Sequence, residues 1–541
     1  MKKSHISNYW VIPVFLLSFS VLAQAQYINF DEEGQNYKGS CTSIMVGRLA
    51  TTDGSVITSH TCDGMYRTWV EIFPHTKYEK GTLHTVYTGV LEPSEKAWDM
   101  RNVKKTGEIP EVEETYAFLN TAYPCMNEKQ LAIGETTIGG RMELRNPEGI
   151  FYIEELEKIA LQRCRTAREA IAFIGKMAEE YGYGDYAECI TIADPKEVWQ
   201  LEISGSGKGK PSAIWCAARI PDDHVGVSAN MPRISTVDFN DPDYFMYSTD
   251  LQKVAKDLGY WDGKEPLKFW RVISSYGKAY GTREFYILST LAPSLNLTTD
   301  TTELPFSVKP EKKLSPRDVL KYYRETYEGT EFDNTKNLMI TVQRKDEKGN
   351  ITEEKIKSPI ANGWLSPDLR RLLHELKPGI VDYKYTIAQN WCSYSEIIQC
   401  RSWLPDEVGA VAWFSFDNPA LSPRIPIFSG VLKLPESFSI CGQFHYTPDA
   451  AIWSFRETNR LAAIKWGDGR TLIEPAVKEF EDRAFEELPM IEKKVVELVK
   501  AGKNDEAREY VTCYTNNFAL AAMKKWEEMK VPLWESFSMG F

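Results

Sequence analysis

The chain has 541 residues, with 64 Lys and Arg against 76 Asp and Glu, a net charge of -12, and 43% hydrophobic and 12% aromatic residues. The acidic balance argues against a nucleic-acid partner, and the apolar content is enough for a large core in one big domain with extensions. No run approaches the roughly 18 uncharged apolar residues of a membrane span.

Residues 1–25 read as a signal peptide. Lys2 and Lys3 form a basic start, Trp10 to Leu22 a mostly apolar run, and Ala23-Gln24-Ala25 a processing site. The expectation is export, periplasmic or secreted. Residues 26–40 read as a short pro-segment. Its polar stretch separates Cys41 from the apolar run, which argues against lipid attachment. Three basic and three acidic residues precede Cys41, so a chain of residues 41–541 keeps the same net charge.

Cys41 opens a strand-turn-strand stretch that runs to His60, with Thr52-Asp-Gly-Ser55 as the turn between two runs rich in β-branched residues. Cleavage between Ser40 and Cys41 would give one residue both a thiol and a free α-amine, the pair an N-terminal-nucleophile amide hydrolase uses. An α-amine of pKa roughly 7.7–8.0 accepts the thiol proton without a histidine. The turn folds residues near 63–66 back beside Cys41, so Asp63 is placed to orient the ammonium. His60 reads as structural.

Further along, residues 153–160 and 167–181 carry apolar positions at helical spacing and would cover a sheet. Ile190 to Ile203 reads as two strands around Asp194-Pro195. Residues 213–220 and 225–229 read as a second hairpin around residues 221–224. Ser315-Pro-Arg-Asp318 starts a helix to about Tyr327. Residues 474–541, rich in Glu, Lys and Ala, predict a helical C-terminal section broken at Pro489 and near Gly502. Antiparallel strands plus helices predict an α+β layered sandwich rather than a Rossmann or barrel fold.

The 10 cysteines are scattered without a CxxC pair, and no HExxH occurs among the 7 histidines, so the spacing predicts no metal site. The papain-type frame is absent around Cys392. Trp413, Phe414 and Phe416, at strand spacing, read as core.

Cys41-Thr-Ser-Ile-Met-Val-Gly47 with Asp53-Gly-Ser55 resembles the start of the N-terminal-cysteine dipeptidases, of the dipeptidase A and D type. Residues 127–137, 166–170, 192–195, 221–223, 230–233 and 403–408 followed by Trp413-Phe414 resemble further segments of the same family. The resemblance covers most of residues 41–541. It implies an αββα four-layer N-terminal-nucleophile (Ntn) sandwich, dipeptide substrates, Cys41 as nucleophile and no cofactor. Asn230 would then sit at the strand-end position that supplies an oxyanion donor in related acylases. Glu135, in a string similar to a substrate-lining loop of those acylases, would meet a dipeptide ammonium. Arg233 would meet the substrate carboxylate through a bidentate contact. The stretch Thr58-Ser-His-Thr-Cys-Asp63 departs from the Ala-Arg-Asn-Glu-Asp pattern of many relatives.

Two other readings stand beside this one. An acylase of N-acylated amino acids, or of bile-salt or penicillin V type amides, would need an apolar pocket and no ammonium partner. An exported binding protein would tie Cys41 to Cys62 in a disulfide and lose the nucleophile. The sequence carries no signal for the number of subunits.

Overall fold

A computed structural model describes residues 29–30, 36–37, 39–64, 66–90, 103–209, 212–443 and 445–540. The expected signal peptide and most of the expected pro-segment lie outside the described residues.

Two antiparallel sheets organise the chain. The first runs, strand beside strand, through Val225–Ser228, Ser43–Val46, Val56–Gly64, Cys392–Cys400, Ala410–Phe416 and Ile425–Phe428. The second has at its centre Ala213–Arg219, Val198–Gly205, Ala187–Ala193 and Ala132–Gly139. Every residue of Val56–Gly64 and Cys392–Cys400 is buried, the mark of strands covered on both faces. The two sheets meet face to face: the Thr58 and Thr191 hydroxyls are 2.6 Å apart. At Gly134 a Cβ would lie 2.5 Å from the Ser59 carbonyl oxygen, so only glycine admits the close approach of the two backbones.

Local chemistry accounts for the elements that frame the site. In the first turn, Asp53 Oδ1 accepts from the Ser55 amide at 3.0 Å and Gly54 takes the left-handed φ of 87°. Ile153–Arg163 and Ala167–Tyr181 are helices. The second starts on a Thr166/Glu169 capping box and packs its apolar stripe on the second sheet. Ser315 and Asp318 form a capping box for Pro316–Tyr323, which stops short of the expected Tyr327, a residue with φ of 62°.

Two expectations need correction. Ala187–Ala193 and Val198–Gly205 do form the first predicted hairpin, but Ala213–Arg219 and Val225–Ser228 do not pair with each other. The chain crosses at residues 220–224 from the second sheet to the first. There the Asp222 carbonyl accepts from Leu49 and the His224 carbonyl from Gly47. Turn residues between two β-rich runs signal a reversal but not which sheet receives the second strand. This crossing carries Ser228 opposite Ser43 and so brings residue 230 to Cys41.

Pro489 does not break its helix. Trp466–Lys500 runs through both Pro475 and Pro489 because its buried face, including Val477, Phe480, Ala484, Ile491 and Val495, packs along its whole length. That packing outweighs the roughly 3 kcal/mol cost of an internal proline. The break falls at Gly502, with φ of 71°. Ala451–Ile464, Trp466–Lys500 and Asn504–Glu535 form a C-terminal helical region. It is joined to the first sheet where Thr515 Oγ1 donates to the Pro426 carbonyl at 2.7 Å. Trp413, Phe414 and Phe416 are buried in the core.

Candidate active site

Cys41 lies where the chain enters the first sheet. Ser40 pairs with Asp63 and Gly39 with Gly64, so the hairpin returns Asp63 to the nucleophile candidate. The Thr42 amide donates to Thr61 Oγ1 at 2.9 Å, and the Thr61 amide donates to the Thr42 carbonyl at 3.0 Å. Cys41 is fully buried, and its Sγ donates to Glu135 Oε2 at 3.4 Å across the space between the sheets. Its backbone nitrogen donates to Asn230 Oδ1 at 2.9 Å.

Asn230 follows the Val225–Ser228 strand with φ of 67°, a left-handed conformation that costs a non-glycine residue energy and clusters at functional positions. Its Oδ1 also accepts from Ser40 Oγ at 2.7 Å, and its Nδ2 donates to the Thr137 carbonyl at 2.8 Å. Three elements therefore meet at one side-chain amide.

Arg283 completes the arrangement and carries no motif that marks it in the sequence. It stands in the first turn of the Thr282–Leu291 helix, where the Gly281 amide donates to Glu284 Oε2 at 3.0 Å in a helix-start pattern. Glu284 Oε1 accepts from the Ala229 amide at 2.8 Å, tying the helix to the Asn230 loop. Arg283 Nη1 donates to the Cys41 carbonyl at 2.6 Å and to Thr42 Oγ1 at 3.1 Å. Its Nη2 donates to the Ala229 carbonyl and to Asn230 Oδ1, each at 2.9 Å. The guanidinium fork holds both sides of the site in register.

The electrostatics are those of a dry, acidic centre. Burial, followed by the nearby Glu135 carboxyl, pushes the Cys41 thiol well up. Burial lifts Glu135 to about 7, with hydrogen bonds from Glu188, Thr137 and Cys41 holding it back. Glu188 is raised by burial and by Glu135, so the two carboxyls favour sharing a proton. Asp63 rises to about 7 through burial, opposed by Cys392, Arg283 and Thr61. His60 falls to about 4 through burial, which makes it a poor base near neutral pH.

The structure thus brings Cys41, Glu135 and Asn230 into direct contact and places Asp63 on the neighbouring strand. Arg233 is committed elsewhere: it is 1% exposed, and its guanidinium donates to the carbonyls of Ala279 and Pro305. Cys41 and Cys62 are free thiols, not the disulfide of the binding-protein reading. Among the described residues, the group with metal-ligating donors close together is Cys41, His60 and Glu135.

The profile of peptidase family C69 matches residues 40–479. The chain belongs to that family. Its relatives include a probable dipeptidase of Latilactobacillus sakei, 26% identical over 416 residues, covering 74% of this chain and 76% of that one. A probable dipeptidase A of Streptococcus pyogenes serotype M1 is 24% identical, covering 78% of this chain and 81% of its own. A probable dipeptidase B of Lactococcus lactis subsp. lactis is 24% identical, covering 77% and 80%. In this C69 peptidase the matched region begins at Ser40, one residue before Cys41, and among the described residues no helix is long and apolar enough to cross a membrane.

Proposed function

We propose that this peptidase is an exported cysteine dipeptidase whose Cys41 becomes the first residue by cleavage after Ser40. The facing sheets with helices packed outside them are then the αββα sandwich of an N-terminal-nucleophile hydrolase. One observation carries the reading: a single residue has its buried Sγ 3.4 Å from a carboxylate oxygen and its backbone nitrogen 2.9 Å from Asn230 Oδ1. Once Ser40 is removed, that nitrogen is an α-amine already held in place. The names of the relatives supply the substrate class, dipeptides.

Sγ attacks the peptide carbonyl as its proton passes to the α-amine. The C–N bond breaks, the leaving amine takes that proton, and a thioester remains. Water, activated by the same amine, then hydrolyses the thioester and regenerates the thiol. Glu135, with Glu188 behind it, offers negative charge to the free ammonium of a dipeptide. Asn230 supplies a side-chain amide toward the developing oxyanion. Arg283 is a positioning residue that fixes the Cys41 carbonyl. Asp63 steadies the ammonium.

The test compares free dipeptides with N-acylated amino acids, using the parent and Cys41→Ala. The parent is expected to prefer free dipeptides and Cys41→Ala to turn over neither. Full turnover by Cys41→Ala would overturn the reading, and a preference for N-acylated substrates would move it to the acylases.

A further inference from the structure

Three potential ligands of different chemistry converge, His60 and Glu135 from two strands and Cys41 from the segment that enters the first sheet. Cys41 supplies a sulfur, His60 an imidazole nitrogen and Glu135 a carboxylate oxygen, all within 4.8 Å of one another. All three residues are fully buried. Four-coordinate zinc, with bonds of roughly 2.0–2.3 Å, sets its ligand atoms about 3.5 Å apart. Cys41 Sγ and Glu135 Oε2 already stand at 3.4 Å, and a ring nitrogen of His60 lies within 4.8 Å of the sulfur and of a Glu135 carboxylate oxygen.

The state of His60 is the second, independent sign. Its Nδ1 lies 2.6 Å from the Glu135 carbonyl oxygen, closer than its 3.2 Å contact with the Glu135 amide, which places the ring proton on Nδ1. The lone pair is then on Nε2, which is buried and has no hydrogen-bond partner. An imidazole that donates one nitrogen to a carbonyl and keeps the other bare is prepared as metal-binding histidines are. A buried acceptor left without a partner is costly and asks for a reason. The sequence hides the group because its members stand at positions 41, 60 and 135, with no compact spacing.

We propose that Cys41, His60 and Glu135 bind a thiophilic divalent cation of the zinc class, which reversibly blocks the nucleophile. A sulfur–metal bond forms as the Cys41 thiol releases its proton to solvent, and no redox change occurs. The thiolate and carboxylate balance the two positive charges, and the soft sulfur selects zinc or cadmium over magnesium or calcium. Cleavage after Ser40 strengthens the site. The free α-amine of Cys41 then closes a five-membered chelate ring with its own sulfur, supplying the fourth ligand. Metal capture rests on the three side chains. The loss of turnover rests on the reading of Cys41 as nucleophile.

The experiment uses the mature chain with Cys513→Ser, since Cys513 is an exposed thiol. Cadmium is added alone while the thiolate-to-cadmium ultraviolet absorbance and dipeptide hydrolysis are followed in parallel. One equivalent is expected to raise the band and abolish turnover with a common midpoint, and a chelator to reverse both. The band should vanish in Cys41→Ser. The midpoint should weaken at least about tenfold in His60→Gln and Glu135→Gln. Circular dichroism selects the folded variants, and Glu135→Gln carries the test if His60→Gln does not fold. No band at one equivalent, a band retained in Cys41→Ser, or unchanged midpoints in the folded ligand variants would overturn the site. A band of the expected stoichiometry with unchanged turnover would support the site and refute Cys41 as nucleophile.

Discussion

Replacing Arg283 with methionine keeps the length of the side chain and removes the fork that binds the Cys41 carbonyl, Thr42 Oγ1, the Ala229 carbonyl and Asn230 Oδ1. Asn230 Oδ1 keeps the Cys41 nitrogen as a donor, but the two carbonyls lose theirs inside a region where Cys41 is 0% and Ala229 2% exposed. Orphaning a buried acceptor costs about 1–3 kcal/mol. Two such losses, partly offset by the apolar methionine, give an expected drop of about 3 kcal/mol in unfolding free energy. Displacement of the nucleophile by about an ångström lowers kcat/KM by about 100-fold. Urea unfolding measures the first, and dipeptide hydrolysis by the folded fraction measures the second. Arg283→Lys, a point charge without the fork, should fall between methionine and parent. Stability within about 0.5 kcal/mol of the parent together with near-parental kcat/KM would refute the assignment of Arg283 as the pin of the site.

Asn230→Ala should cost about 3 kcal/mol of transition-state stabilisation, a loss of about 100-fold in kcat of the folded fraction, and should also lower the unfolding midpoint, because the Cys41 nitrogen and the Thr137 carbonyl lose their partner; unchanged turnover would remove Asn230 from the oxyanion role. Glu202 is lifted from 4.5 to about 7 by burial, against hydrogen bonds from the Arg233 and Ile234 amides. Its folded state holds a proton that the unfolded state has lost, so its contribution is complete below 4.5 and disappears as the pH rises through about 7. Glu202→Gln, whose amide oxygen can still accept from both amides, should therefore gain stability over the parent at about pH 8, by up to about 3 kcal/mol, and much less at about pH 4. Thermal melts at the two pH values check this, and a gain confined to acid pH would refute it. Trp413 stacks on Phe485 with ring centroids 4.2 Å apart. Trp413→Ala should cost about 3–5 kcal/mol in urea unfolding while the folded fraction keeps its turnover.

What was legible from the sequence was what nearby residues decide. The turn at Asp53-Gly54 and the return of Asp63 beside Cys41 follow from one hairpin, and the cap at Ser315 from the Ser-Pro-Arg-Asp pattern. The placement of Asn230 depended on the resemblance alone, because its route to Cys41 is the crossing between sheets that the turn at residues 221–224 conceals. Arg283 was not legible. It reaches Cys41 across 242 positions from a helix with no motif of its own, and only the packing of that helix on the Asn230 loop aims the guanidinium. Arg233 and Arg283 are both arginines near a strand or helix end. Tertiary contacts alone separate the one on the carbonyls of Ala279 and Pro305 from the one at the site. Pro489 misled for a related reason: proline marks a local cost, and a long buried helical face overrode it.

The central claim is that Cys41 acts as the first residue of the chain, and intact mass with N-terminal sequencing of the protein purified from cells expressing the full sequence, before and after iodoacetamide, tests it most directly. The account predicts an active form beginning at Cys41 that gains one carbamidomethyl group on that residue as activity disappears. A stable and fully active form beginning at Gln26 would contradict it.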